Sequence, residues 1–167
     1  IDERLAPHIP SKRIHSFRDL DKFKVSGSYA KLISFITQVN NSIFKLGEGE
    51  FPELDKPAEA TIEVLNNIRN ILNNTPPVDI PHRYANPSYR TFHANLRKEI
   101  YNIIEPLRTL GMSIEIQGDV AGYILDSFGN GTRGDYGTGH ETHWIAVLAC
   151  VHIGLRGNTG EMNDYLQ

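Results

Sequence analysis

The sequence predicts an all-α fold. Apolar residues recur at steps of three and four in one window after another, and no window alternates at period two strongly enough to define a strand. In addition, residues 144–155 are apolar nearly all round, interrupted only by His152. That is the pattern of a helix central to a core.

Taken in order, residues 1–14 are polar, and Pro7 and Pro10 predict extended chain there. Ser16 and Asp19 have capping-box spacing for a short helix through Phe23, which Val25, Ser26 and Gly27 break. From Ser28, the residues Tyr29, Leu32, Ile33, Ile36, Val39 and Ile43 predict a long helix with one buried stripe. Lys31, Ser34, Gln38 and Asn41 face outward on it. A turn-rich loop follows at 47–52. Asp55 is placed to cap a second long helix with Pro57 in its first turn. Its stripe is Ala58, Ile62, Leu65, Ile68 and Leu72. Asn73 and Asn74 fray this helix, and the prolines at 76, 77 and 81 make 75–81 a rigid, polyproline-like connector.

Asn86 and Pro87 restart a helix as cap and first residue. Tyr89, Phe92, Leu96, Ile100, Ile103 and Leu107 line one face down to Pro106, which ends or kinks it. Residues 111–118 read as a break. Val120, Ile124, Leu125 and Phe128 then lead a helix into a glycine-rich loop. Beyond it, Gly154 is expected to close the apolar helix. Trp144, Val147, Leu148 and Val151 should be buried against the helices at 29–43 and 92–107. The domain reading is one helical core portion over 1–155 and a polar connector over 156–167. Tyr165 and Leu166 suggest a further element beyond, and a start on Ile1 rather than Met suggests a processed, trimmed or partial chain.

The composition, 167 residues with 40% hydrophobic and 22% charged, fits one globular core. A net charge of −3 without a Lys/Arg cluster argues against nucleic acid as a partner. No apolar run reaches the roughly 18 residues of a membrane span, and the N-terminus lacks a signal peptide's apolar core. Cys150 stands alone in an apolar run, so it reads as a buried small hydrophobe in a reducing compartment. The N-x-S/T matches at Asn40, Asn73 and Asn130 accordingly read as chance.

The densest chemistry lies at 128–141, where Gly129, Gly131, Gly134, Gly137 and Gly139 are interleaved with Asn130, Thr132, Arg133, Asp135, Tyr136, Thr138, His140 and Glu141. So many glycines cost backbone entropy and imply φ > 0 turns or close backbone approach; a plain surface loop is the bland alternative. Gly129, Gly131 and Gly134 match the G-x-G-x-x-G spacing, but a helix rather than a strand precedes them, which argues against a dinucleotide fold. His140, Glu141 and His143 resemble a zinc-protease helix motif with the second histidine one residue early, which excludes that reading too. A metal shared by His140 and His143 remains an alternative to two buried or capping histidines. What is left is anion-friendly. Gly137, Thr138 and Gly139 open a helix whose N-terminal N–H groups favour phosphate or carboxylate, with the Arg133 fork close in sequence. Alternatively, Asp135 caps the helix and pairs with Arg133.

The run Arg133-x-Asp135-Tyr136-Gly137-Thr138-Gly139-His140-Glu141 resembles the signature of the phosphotyrosyl phosphatase activator family. These are protein phosphatase 2A activators, also described as peptidyl-prolyl cis–trans isomerases. The resemblance extends to Ile9-Pro10-x-Lys12-x-Ile14-His15, Thr75-Pro76-Pro77-Val78-Asp79, Arg83-Tyr84-x-Asn86 and Tyr89-Arg90-Thr91-Phe92, and so to nearly the whole chain through Leu155. Two departures stand out. Gly134 replaces a branched apolar residue, and the family is nearly twice as long, with a Trp-Gly-Leu-Asp-Asp segment absent here. The resemblance implies an all-helical, multi-helix core domain of the phosphatase 2A activator type without its complete lid and linker portions. It implies ATP as cofactor, with magnesium ligands in the absent half and none assigned here. Arg133, Thr138 and Gly139 would then hold ATP phosphates, while Asp135, Tyr136, His140 and Glu141 shape a catalytic cleft for a proline-containing peptide. The implied partners are the phosphatase 2A catalytic subunit and scaffold, in cytoplasm and nucleus, with neither membrane nor nucleic acid. A non-catalytic chaperone or scaffold, and a structural module whose loop is only a joint, are the alternatives.

Overall fold

The computed structural model describes residues 1–47, 49, 52–81 and 85–156. They form seven α-helices after a 3-10 turn at Ala6–His8, with no β-strand among the described residues. The helices are α1 (Phe17–Lys24), α2 (Gly27–Phe44), α3 (Lys56–Asn73), α4 (Ser88–Ile103), α5 (Glu105–Thr109), α6 (Ile114–Ser127) and α7 (Thr138–Arg156). None of the described helices is long and apolar enough to cross a membrane. Two compact units result: Pro10–Leu54, and Ile1–Ile9 together with the chain from Asp55. The sequence reading of 1–155 as one portion makes no such division. Of its connector at 156–167, Arg156 is the last residue of α7 and the rest, like the Arg83-Tyr84 pair, lies outside the described residues.

In the smaller unit α1 carries the expected capping box. The Ser16 hydroxyl accepts from the Asp19 N–H at 3.3 Å, and the Asp19 carboxylate accepts the Ser16 N–H at 3.1 Å. Ser26, expected only to break α1, caps α2 by accepting the Tyr29 N–H at 3.2 Å. The stripe predicted to be buried is not. Tyr29, Leu32 and Ile36 are half-buried, while Ile33, Val39 and Ile43 are exposed. Two helices can share only one face each, too little to enclose a side chain.

In the larger unit Asp55 caps α3 through the Ala58 N–H at 3.0 Å. Its buried face is Ala60, Thr61, Val64 and Ile68; of the predicted stripe, Ile62, Leu65 and Leu72 are exposed. The helix carries two apolar stripes, and the buried one tolerates Thr61 because its hydroxyl donates to the Pro57 carbonyl at 2.7 Å. The connector at 75–81 is non-helical and is held by Asn86, whose side chain accepts the Val78 N–H and donates to the Val78 carbonyl, at 3.1 and 2.9 Å. The same Asn86 oxygen accepts the Ser88 N–H at 3.1 Å, starting α4. Ile104 breaks α4 from α5, with Pro106 in the first turn of α5 where its missing N–H costs nothing.

Two expected breaks are helical. Ser113 caps α6, which therefore runs through 114–118, and α7 continues through Gly154, where a Cβ would meet the Ile116 side chain at 3.1 Å. Small residues let α6 and α7 pack as an antiparallel pair. Val147 and Val151 are buried, as predicted, but Trp144 and Leu148 are only half-buried. Trp144 closes the edge of the core through an edge-on contact with Phe128, ring centres 6.3 Å apart. The main partners of α7 are α6 and then α3, whereas the helix at 29–43 belongs to the other unit.

The first nine residues join this core instead of remaining extended. Leu5 is fully buried, and Pro7 sits in the first turn of the 3-10 segment. The guanidinium groups of Arg4 and Arg108 lie 3.7 and 3.6 Å from the centre of the Tyr101 ring. Asp2 grips Arg4 at 2.8 Å, and that hydrogen bond holds the Asp2 carboxyl down to about 2. His8 runs so close to α6 that a Cβ on Gly118 would lie 2.4 Å from both the His8 Cβ and its carbonyl oxygen. We predict that Gly118→Ala displaces the N-terminal segment and costs about 1–3 kcal/mol in urea unfolding. An unchanged midpoint would show that the segment does not contribute to the core.

Candidate functional site

The loop between α6 and α7 is built on a carbonyl and three glycines. Phe128 closes α6, and its carbonyl accepts from the Tyr89 hydroxyl and from His93 Nε2–H at 3.0 Å. Tyr89 and His93 lie one turn apart on α4, so both reach one acceptor. The Phe92 ring meets Phe128 edge-on at 6.0 Å from between them. Glycine is required where the loop crosses α4. At Gly129 (φ +91°) a Cβ would fall 1.9 Å from the Tyr89 hydroxyl, and at Gly131 it would lie 2.8 Å from the His93 Cβ. Gly134 has φ +69°.

The loop then folds back on itself. The Asn130 N–H donates to the Asp135 carbonyl at 2.9 Å and the Gly134 N–H to the Asn130 carbonyl at 2.7 Å. The Asn130 side chain accepts the N–H groups of Thr132 and Arg133 at 3.0 and 2.9 Å, as an Asx-type turn. Across this ring Arg133 grips the Asp135 carboxylate with two donors, at 2.7 and 3.3 Å. The Arg133 hydrogen bond lowers the Asp135 pKa and raises that of Arg133. The internal pair weighed from sequence is therefore formed. Both partners are more than half exposed, however, so it adds little to stability.

After the ring, Gly137 opens α7, its carbonyl accepting the His140 N–H at 2.9 Å. Asp135 does not cap this helix. Thr138 and Gly139 are exposed in its first turn, and a Cβ at Gly137 or Gly139 would meet nothing within 4 Å. These two glycines thus leave open space over the helix N-terminus, unlike Gly129 and Gly131, which pack on α4. His140 Nδ1–H donates to the Asp126 carbonyl, which orients the ring and leaves Nε2 as an acceptor in the neutral form. Tyr136 stacks on it, centres 5.8 Å apart and planes at 20°. His143 Nδ1–H donates to the Gly139 carbonyl at 2.8 Å, with Nε2 3.9 Å from the Asp126 carboxylate. Glu141 is exposed in the first turn of α7. No group of three or more His, Cys, Asp or Glu side chains among the described residues is arranged to hold a metal. Burial pushes the half-buried Cys150 thiol up to about 12, which makes it inert.

The structure thus gathers Arg133 with Asp135, and Tyr136 with His140, beside the open turn at Thr138 and Gly139. Sequence reasoning assigned no site role to the residues that hold this arrangement: Tyr89 and His93 from α4 and Asp126 from α6. Their signal was the four-residue spacing of Tyr89 and His93, hidden because Tyr89 also belongs to the apolar stripe.

The sequence matches the family described as phosphotyrosyl phosphate activator (PTPA) protein over residues 10–162. It is similar to the "Probable serine/threonine-protein phosphatase 2A activator 1" of Dictyostelium discoideum, 31% identical over 153 residues, covering 91% of this chain and 47% of that protein. It is also similar to the serine/threonine-protein phosphatase 2A activator 1 of Emericella nidulans, 31% identical over 162 residues, covering 85% of this chain and 38% of that one. The fold resembles the crystal structure of the PP2A phosphatase activator Ypa1 PTPA1, with a TM-score of 0.74 at 24% identity, over 84% of this chain and 46% of that chain. The chain therefore spans less than half the length of each of these relatives.

Two outcomes follow from the loop's construction. Gly129→Ala meets both a positive φ and the Tyr89 hydroxyl, and should lower stability by about 1–3 kcal/mol or more; a wild-type melting temperature would contradict the packing. His93 has its pKa lowered, chiefly by burial, from 6.5. Because the unfolded state then binds more protons, its contribution is intact above about pH 6.5 and is lost as pH falls through the lower folded value. His93→Gln should flatten the fall in melting temperature on the acid side of pH 6.5, and an unchanged profile would refute this.

Proposed function

The chain belongs to the phosphotyrosyl phosphate activator family, and from that premise we propose that it activates protein phosphatase 2A through ATP-dependent peptidyl-prolyl isomerisation. The observation that carries this reading is the match across residues 10–162, joined to a loop that keeps an open helix N-terminus beside an aromatic–imidazole stack. The partners are the phosphatase catalytic subunit with its scaffold and a proline-containing peptide, in cytoplasm and nucleus.

Isomerisation needs no nucleophile. The X–Pro amide resists rotation by roughly 18–20 kcal/mol, and a site lowers that barrier by binding the twisted amide more tightly than the planar one. Tyr136 offers an aromatic face to a proline ring, and His140, fixed by the Asp126 carbonyl, offers Nε2 beside it. Asp135 and Glu141 border this cleft.

The residues present fit a nucleotide phosphate in part. Thr138 and Gly139 bring backbone N–H groups at the start of α7, with nothing over Gly139. Arg133 already holds one anion, the Asp135 carboxylate, and its exposed pair opens at little cost when phosphate competes. ATP supplies charge and binding energy that couple this loop to the partner. A non-catalytic chaperone uses the same groups without turning over proline bonds; running proline isomerisation and phosphatase reactivation on one preparation separates the two.

The nucleotide assignment is tested with two variants that leave the fold alone. Arg133→Ala removes an exposed pair and should weaken ATP about ten- to a hundredfold by calorimetric titration, with the melting temperature nearly unchanged. Gly139→Val fills open space and should weaken ATP similarly. Wild-type affinity in both would overturn the site.

A further inference from the structure

The loop closes one end of a second recess that the reading above does not use. A groove of about 530 Å³ runs between α4, α6 and the loop. One wall is Arg90, His93 and Arg97, on successive turns of α4; Asp126 stands on the other, and the backbone of 129–132 forms the end. Its volume suits a short peptide or a small molecule.

The charge in this groove is unbalanced. Among the described residues neither Arg90 nor Arg97 forms an ion pair, and the sole hydrogen bond of either guanidinium is a long one, 3.5 Å, from Arg90 to the Thr132 carbonyl. Arg133, in the adjoining loop, is by contrast held by Asp135. His93 gives its Nε2–H to Phe128, so in its neutral form Nδ1 is an acceptor between the two guanidinium groups. Two unpaired cations facing one concavity are notable in a chain of net charge −3.

Arg90 and Arg97 are seven residues apart on α4, about 10.5 Å along the helix axis at 1.5 Å per residue. An extended peptide in the polyproline II conformation has three residues per turn and rises about 3.1 Å per residue, so side chains three positions apart lie on one face about 9 Å apart. The geometry points to this groove as a docking site for an extended peptide with two acidic side chains three residues apart, one carboxylate to Arg90 and the other to Arg97. Planar guanidinium groups suit carboxylates by two-point hydrogen bonding. Asp126, opposite, repels an acidic residue at the intervening positions, and His93 Nδ1 accepts a donor there. This inference stands apart from the nucleotide and proline assignments, since it involves none of Arg133, Thr138 or Gly139.

The test uses a fluorescein-labelled peptide with glutamates three positions apart in a glycine–serine background, and the same peptide with glutamines. Fluorescence anisotropy should show binding of the glutamate peptide alone, weakening as salt rises from about 50 to 300 mM because the contacts are exposed charges. Arg97→Glu, at an exposed residue with no ionic partner among the described residues, should cut affinity at least tenfold with an unchanged melting temperature, and Asp126→Asn should raise it. Equal binding of the glutamine peptide, or wild-type affinity in Arg97→Glu, would overturn the proposal. ATP titration of Arg97→Glu gives an independent readout, so failure here is distinguishable from failure of the nucleotide site.

Discussion

The carbonyl of Phe128 carries the end of α6, where helix carbonyls lack intrahelical donors and the dipole leaves partial negative charge. Tyr89 and His93 converge on it from α4. That convergence does more than satisfy one acceptor. It draws the following backbone so close to α4 that positions 129 and 131 have no room for a side chain. The ring from Asn130 to Asp135 then leaves α4 at a fixed angle and delivers Gly137 to the start of α7. The loop's conformation is thus set by a neighbouring helix, with the internal Arg133–Asp135 pair as a secondary brace.

Helix existence was largely legible in the sequence, since capping residues and apolar spacing are local. Ser16 and Asp55 act as read, whereas Pro87, expected as the first helical residue, takes the cap position of α4, and Asn86 one residue earlier accepts the Ser88 N–H. Burial was less legible because it depends on which neighbour arrives. Helix α3 offers two apolar stripes, and only tertiary packing selects Val64 and Ile68 over Leu65 and Leu72. Gly118 and Gly154 looked like helix breakers and are instead close-packing positions. The glycine loop was recognisable as special from composition, yet its glycines serve two purposes that spacing cannot separate. Gly129 and Gly131 accommodate α4, and Gly137 and Gly139 face open space. Arg133, read either as a phosphate fork or as the partner of Asp135, is held by Asp135; Arg90 and Arg97, given no site role from sequence, line the α4 groove without an ionic partner among the described residues.

These assignments separate two recesses beside one loop. The start of α7 presents backbone donors and an aromatic stack, the groups on which the proposed nucleotide and proline readings rest. The groove on α4 presents long, screened charges, a surface that discriminates by the spacing of acidic side chains. Both rest on the same Phe128 anchor.

The N-terminal staple bears on how the chain matures during synthesis. Arg4 and His8 precede their partners Tyr101 on α4 and Gly118 on α6 by roughly a hundred residues. The unit at Pro10–Leu54 lies between them in the chain and forms a compact set of contacts of its own. Until Gly118 leaves the ribosome, the nascent chain carries an unsheltered Leu5 with nothing to close over. That interval is when a holdase would find it, and slow translation between α3 and α6 would lengthen it.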